Sequence, residues 1–200
     1  METTPPPPGR FPPPFYWFAS TVVRWLLRVF YGLRVSGQEH VPRQGGCVIG
    51  MNHMSSWDPP VLGVTTPREI HVMAKKELFR TWIVRRVLRG LRVFPIDRAG
   101  NDIGAIKEAL RRLQRGHAVG IFFEGTRNVG AGSADAHQGA AFLAQRAGVP
   151  IVPGAIWREG RRFHVAFGTP LQPTGRTREE TAELTAELAA AAYALMPSRT

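Results

Sequence analysis

After Gly37 the chain settles into a regular alternation. Short, continuous apolar runs are separated by stretches in which apolar positions recur every three or four residues. The runs Gly46–Met51, Ile70–Ala74, Arg92–Ile96, Ala118–Phe123, Val149–Trp157 and Phe163–Phe167 read as buried strands. The intervening segments 77–90, 102–115, 138–147 and 177–195 read as helices with one apolar face. The last of these opens with Thr177 and Glu180 at capping-box spacing and stops at Pro197. Strands alternating with helices predict a single α/β domain, its sheet mixed but largely parallel and flanked by helices. No internal repeat and no second domain is evident.

Two segments precede that pattern. Residues 1–14 are Pro-rich and predict a disordered or polyproline-like tail; no basic segment leads into an apolar run there, so it does not read as a secretory leader. Residues 15–33 have nearly the length of a bilayer span, yet Arg24 and Arg28 interrupt the middle. On a helix these arginines share a stripe with Ser20, Thr21 and Tyr31. The remaining arc carries Phe18, Val22, Val23, Trp25, Leu26, Val29 and Phe30. Such a helix is expected to lie in the membrane interface. Docking on the domain's own core, or a true crossing, are the alternatives. The expected organisation is therefore a tail (1–14), an amphipathic interface helix (15–33) and one α/β domain (34–200).

Charge sharpens this picture. The 200 residues include 26 Lys and Arg against 15 Asp and Glu, a formal net charge of +11. Only Lys75, Lys76 and Lys107 are lysines, and the Ala, Gly and Arg bias is that of a GC-rich genome. The surplus is uneven: Arg68–Arg98 holds nine basic residues and three acidic ones. Within it Arg85, Arg86 and Arg89 occupy one side of a helix whose other side is Leu78, Trp82, Ile83, Val87 and Leu88. A one-signed patch of this kind points to an anionic partner: nucleic acid, a membrane surface or a phosphorylated substrate. Nucleic acid leaves the apolar 15–33 helix unexplained, and no helix-turn-helix, zinc-finger or RNP-type signature is present. The single cysteine, Cys47, excludes an intrachain disulfide framework and a Cys-cluster metal site, and its place inside an apolar run makes it a core residue.

Two clusters carry candidate chemistry, each just after an apolar strand, where α/β folds place their sites. The first is Asn52-His53-Met54-Ser55-Ser56-Trp57-Asp58. His53 and Asp58 are five apart, out of register on a helix, but a turn could join them. Asp58 would then hold one ring nitrogen of His53 and leave the other to take a proton from a hydroxyl. Asp58 ahead of Pro59 could equally be a helix N-cap. The second is Glu124-Gly125-Thr126-Arg127, where the planar fork of Arg127 suits a phosphate. A hydrolase is disfavoured: there is no G-x-S-x-G elbow, and Ser55 and Ser56 follow His53 too closely for a triad.

These segments resemble a known family. NHMSSWD (Asn52–Asp58) is similar to the NHxxxxD box of the glycerolipid acyltransferases of lysophosphatidic acid acyltransferase type, and FFEGTRN (Phe122–Asn128) to their FPEGTRS box, with Phe123 in place of the proline. AKKELF (Ala74–Phe79), VFPIDR (Val93–Arg98), VPIVPGAI (Val149–Ile156) and VSGQEHVP (Val35–Pro42) resemble the blocks between and around them, in order, over residues 33 to 171. The stretch NVGAGSADAHQG after the second box lacks the Lys-Lys or Lys-Pro common in the family. The resemblance implies acyl transfer from a thioester, acyl-CoA or acyl-ACP as co-substrate, to a hydroxyl of a lysophosphatidic-acid-type acceptor. It implies His53 as general base and Asp58 as its orienting partner. Arg127, Arg98 and Lys75 would contact phosphate, with Glu124, Gly125 and Thr126 shaping the pocket. No metal or further cofactor is implied. Another lysolipid or specialised lipid acceptor is the alternative. The implied setting is the cytoplasmic face of a bacterial membrane, held peripherally.

Overall fold

The computed structural model describes residues 14–55, 57–96, 103–123 and 138–197, with the Lys75 side chain excepted. In chain order the elements are α1 (Pro14–Tyr31), β1 (Arg34–Ser36), a 3-10 turn (Gln38–His40), β2 (Cys47–Met51), α2 (Asp58–Thr65) and β3 (Ile70–Lys75). A second 3-10 turn (Lys76–Phe79), α3 (Trp82–Gly90), β4 (Val93–Ile96), α4 (Ile103–Gln114) and β5 (Ala118–Phe122) follow. The chain closes with α5 (Gly139–Ala147), β6 (Ile151–Glu159), β7 (Arg162–Phe167) and α6 (Arg178–Ala194). Most of the Pro-rich tail lies outside the described residues.

The seven strands form one sheet, ordered β1-β7-β6-β2-β5-β3-β4. Every neighbouring pair is parallel except the β6–β7 hairpin. β2 lies at the centre and is buried along its whole length, which is why CVIGM reads as a continuous apolar run rather than an alternating one. Its side chains serve two cores. Cys47, Ile49 and Met51 pack with Val61 and Leu62 of α2 and Leu27 of α1. Val48 packs on the opposite face with Leu113 of α4, Leu143 of α5 and Leu188 of α6. Gly50 lets α6 approach: a Cβ there would come within 2.7 Å of Leu188. The capping box of α6 forms as expected, Glu180 N donating to Thr177 Oγ1 and Thr177 N to Glu180 Oε2.

Three expectations are corrected. The 77–90 segment is not one helix: a 3-10 turn ends at Phe79, and α3 begins only at Trp82, after Thr81 in extended conformation. β4 begins at Val93 because Arg92 ends α3 with φ of 62°, a left-handed closure that no strand residue adopts. β6 begins at Ile151, since Val149 N still caps α5 by donating to Ala144 O. The elements that pattern reading missed are β1, the Gln38–His40 turn and α2.

α1 docks on the domain, as one alternative had it, with Leu27 in the core and Val23 and Tyr31 packed against it. Part of its polar stripe, Ser20 and Arg24, turns inward with Tyr16, while Thr21 and Arg28 stay exposed. Tyr16 Oη donates to Gly63 O (3.2 Å) and accepts from Ile70 N, and Arg24 Nε donates to Val64 O at 2.7 Å. That carbonyl belongs to the last turn of α2, the negative end of its dipole. Of the large apolar side chains in α1, Leu27 is buried and Val23 packs at the edge of the core, while Phe18, Trp25, Val29 and Phe30 are 57–68% exposed. α3 presents a second apolar face, with Trp82 and Ile83 more than half exposed. The two meet at one end, where a Cβ on Gly90 would fall 2.7 Å from the Phe15 ring. Among the described residues no helix is long and apolar enough to cross a membrane.

At the opposite end of the strands from the candidate site, pairing of β3 with β5 brings together a polar cluster. His71 stacks on His117 with centroids 4.4 Å apart, His71 Nε2 lies 2.8 Å from Glu69 Oε1, and Arg92 Nε lies 2.7 Å from the same oxygen. Burial pushes the His117 imidazole down to about 4, helped by the charge of His71, and Arg112 and Arg68 act in the same direction. His71 is lowered as well, again chiefly by burial. Between the ordinary histidine range and about pH 4 the unfolded chain therefore binds more protons than the folded one, so stability falls on acidification through that window. Chemical unfolding measured from pH 7 down to pH 4.5 should show this loss. His117→Gln should flatten it, by at most about 1.4 kcal/mol per pH unit because the half-buried ring is partly screened by solvent. An unchanged pH slope in that variant would refute the assignment.

Candidate active site

β2 runs out of the sheet at Met51, between β5 and β6. After β5 the chain crosses β2 to reach β6, so the crevice beyond these strand ends is a topological switch point. Asn52, the first residue past the strand, is 2% exposed. Its side chain ties the loop to β6: Nδ2 donates to Ile156 O (2.9 Å) and Ile156 N donates to Oδ1 (2.8 Å). The next residue, His53, leaves from this fixed base.

A turn carries the chain from His53 to the first residue of α2. Asp58 is that residue; Trp57 occupies the N-cap position, and its side chain makes no cap bond. The Asp58 carboxylate points back into the loop, not forward over the helix. Oδ2 accepts from Met54 N (2.6 Å) and Ser55 N (2.7 Å) and lies 3.0 Å from His53 Nδ1, and Oδ1 accepts from Ser55 Oγ at 2.9 Å. Asp58 is therefore not the N-cap: it is the first residue of the helix, and its carboxylate holds the histidine. Burial alone would raise its pKa, but the bonds from His53, Ser55 and Met54 outweigh burial and leave it below the ordinary carboxylate value. An ionised carboxylate only accepts, so the proton it meets is on Nδ1 of His53, and the neutral ring carries its lone pair on Nε2.

Phe122 covers one face of the imidazole, centroid to centroid 4.6 Å with the rings tilted by 36°. It arrives through the β2–β5 register, which pairs Met51 with Phe122. One residue on, Phe123 N donates to Met51 O (2.9 Å), a bond that a proline could not make, and its ring is buried against Tyr193 of α6. The substitution at this position adds one rung to the ladder beside His53. Of the expected site residues, the structure brings His53 and Asp58 together. Glu124, Gly125, Thr126, Arg127 and Arg98 lie outside the described residues, as does the Lys75 side chain.

Asn52 and Phe122 lie inside the two motifs, but nothing in the sequence marks their roles. Their partners, Ile156 and His53, are set by strand pairing that spacing cannot reveal. Asn52→Ala should strand a buried amide and carbonyl of β6, at about 1–3 kcal/mol for each unsatisfied group. Thermal unfolding should show that loss, together with a fall in turnover. A variant as stable and as active as the wild type would show the bridge to be dispensable.

Another trio escaped the sequence. Glu69, His71 and His117 place donor atoms within 4.8 Å of one another, a grouping that could suit a cation. The protonation pattern argues otherwise. Arg112 Nη1 meets His71 Nδ1 and must donate, so Nδ1 accepts and the His71 proton sits on Nε2, toward Glu69. Arg92 and Arg112 would also repel a metal ion. Cys47 offers no nucleophile either, for burial pushes its thiol up to about 11.

The α/β sheet thus sets a buried carboxylate against a histidine at the switch point, and comparison with known proteins supplies the family. A sequence model of the Acyltransferase family matches residues 32–157. A 1-acyl-sn-glycerol-3-phosphate acyltransferase of Bacillus subtilis is 35% identical over 141 residues, covering 70% of each chain. One from Borreliella burgdorferi is 29% identical over 131 residues, 64% of this chain and 52% of that protein. The crystal structure of the 1-acyl-sn-glycerophosphate acyltransferase PlsC of Thermotoga maritima shares the fold, with a TM-score of 0.68 at 23% identity over 90% of this chain and 76% of that one. The chain belongs to the Acyltransferase family.

Proposed function

We propose that this protein esterifies the free hydroxyl of a 1-acylglycerol 3-phosphate with an acyl chain from a thioester, making a diacylglycerol phosphate at a membrane surface. The observation that carries the reading is the His53–Asp58 pair at 3.0 Å, backed by relatives named for this activity. His53 Nε2 takes the proton of the acceptor hydroxyl as its oxygen attacks the thioester carbonyl. Asp58 keeps Nδ1 protonated and steadies the imidazolium that forms. The tetrahedral centre collapses, the sulfur leaves, and the proton held on Nε2 returns to the thiolate. The ester and a free thiol are the products. Removing a positioned base costs typically about 10²–10⁴-fold, so the pair is asked to supply a few kcal/mol and orientation the rest.

The acceptor's phosphate is assigned to Arg127 and Arg98, with Lys75 as a third cation and Glu124, Gly125 and Thr126 shaping the pocket. This assignment rests on the resemblance of their motifs. Arg127→Lys should raise KM for the phosphorylated acceptor by at least about tenfold, because a point charge cannot replace a two-pronged contact, and leave KM for the donor nearly unchanged. Equal damage to both substrates would make Arg127 structural.

Membrane contact through α1 and α3 belongs to the same reading. The outward aromatic face of α1, the exposed Trp82 face of α3 and the net charge of +11 suit an anionic lipid surface without a crossing helix. Acyl thioesters are made in the cytoplasm, which sets the leaflet. The test is direct: purified protein, vesicles carrying 1-acylglycerol 3-phosphate, and acyl-CoA or acyl carrier protein thioester in separate reactions, with the lipid product identified. Thiol release must depend on the acceptor. Product from another lysolipid, and none from the phosphate acceptor, would move the protein elsewhere in its family.

A further inference from the structure

The tip of the β6–β7 hairpin, the strand ends and the two-residue turn between them, reads Arg158-Glu159-Gly160-Arg161-Arg162, and all five residues are exposed. It projects from the same end of the sheet as the candidate active site, since β6 runs parallel to β2. Its one acid is already engaged: Glu159 Oε1 accepts from Trp157 Nε1 (3.2 Å), and Oε2 lies 3.3 Å from His164 Nε2. Arg158 lies over the Phe163 ring, 4.9 Å from its centroid. Among the described residues Arg161 and Arg162 therefore have no ion-pair partner. Both line an open cavity of about 390 Å³ with Phe30, Tyr31 and Gly32, the end of α1.

The cavity is shaped by contact. Gly32 has φ of +58°, and a Cβ there would stand 2.9 Å from Arg162 Cγ and 3.4 Å from its Nε. The Arg162 stem thus lies across the end of α1. A cation near the last carbonyls of a helix is favourable in itself, which accounts for Arg162 alone and leaves Arg161 unexplained. Phe30 is 59% exposed and ends the outward apolar face of α1, so the arginines stand where a lipid surface would change from acyl chain to headgroup.

We propose that Arg161 and Arg162, with Phe30 and Gly32, form a non-catalytic docking site for the phosphate headgroup of an anionic glycerophospholipid. The inference rests on the reading of α1 as a membrane-contacting helix. The two guanidiniums supply the donors, Phe30 follows the acyl chains, and Gly32 keeps the floor open.

The full chain is compared with Arg161→Gln/Arg162→Gln and with Arg43→Gln/Arg115→Gln, which removes the same charge from exposed positions at the far end of the sheet. Flotation uses phosphatidylcholine vesicles with and without phosphatidylglycerol. The hairpin variant should bind pure phosphatidylcholine like the wild type and lose roughly thirtyfold of the gain from phosphatidylglycerol, about fivefold for each near-surface arginine. The control should lose far less. Dihexanoyl phosphatidylglycerol, below its micelle concentration, should shift the Arg161 and Arg162 Nε resonances, while dihexanoyl phosphatidylcholine should not. Equal losses in the two double variants would overturn the proposal. So would shifts that inorganic phosphate reproduces in full, which would mark a site for free phosphate. A wild type that floats with no vesicle would sink the membrane reading, while the soluble-lipid titration still decides the headgroup site.

Discussion

Purified His53→Ala protein should lose acyl transfer by about 10²–10⁴-fold and remain folded. His53 sits at the rim of the sheet, its side chain 11% exposed, and its hydrogen bond is one of four that Asp58 accepts. The loop therefore survives its removal. Asp58→Asn is the more informative partner. An amide in that place can still accept from Met54 N or Ser55 N, but it no longer fixes the proton on Nδ1 or balances an imidazolium. Turnover should fall by a large part of the His53→Ala effect. KM for both substrates should move little, because neither residue is asked to bind them in the ground state. Near-normal turnover in His53→Ala, with unfolding unchanged, would refute the dyad as the catalytic machinery.

The second large effect concerns α1. Replacing Phe18, Trp25 and Val29 by Glu changes only outward positions and leaves the bonds of Tyr16 and Arg24 to α2 untouched. The variant should fold and melt like the wild type. Its partition onto vesicles should fall on the order of 10³-fold or more, since each large apolar side chain contributes roughly 1.5–3 kcal/mol when buried. Activity on vesicle-borne acceptor should fall in step, while activity on a short-chain, water-soluble acceptor is retained. Sedimentation without lipid tests the other occupant of this face. A tight wild-type dimer that the variant dissolves would make it an interface between copies of the chain.

How α1 faces was not readable from its residues. Its amphipathic pattern was plain, but the pattern is the same whichever side is turned in. The decision lies with α2, whose carbonyls at Gly63 and Val64 await donors, and Tyr16 and Arg24 supply them. Of α2 only a possible start at Asp58–Pro59 could be read, because the helix is just eight residues long, too few to show a period. By contrast β2 was legible, since burial on both faces leaves an uninterrupted apolar run. The join after Phe79 was not, because apolar positions continue through Leu78, Trp82 and Ile83 while the backbone changes. In the site, His53 and Asp58 could be paired by a turn within one short motif. Asn52 finds its partner 104 positions away, and His71 meets His117 across two paired strands, so no local signal exists for either.

The inward polar contacts of α1 have a kinetic consequence. A helix bolted to the body through Tyr16 and Arg24 does not wait for lipid to take up its position. On the membrane reading, docking then fixes the tilt and height of the whole sheet above the bilayer, and with them the standoff of the His53 crevice. The enzyme meets its acceptor as a rigid plane sliding over another plane. Its turnover should therefore follow the mole fraction of lysolipid within the surface, not the bulk amount of vesicle. An enzyme held in this way works through many acceptors on one vesicle before it moves to the next.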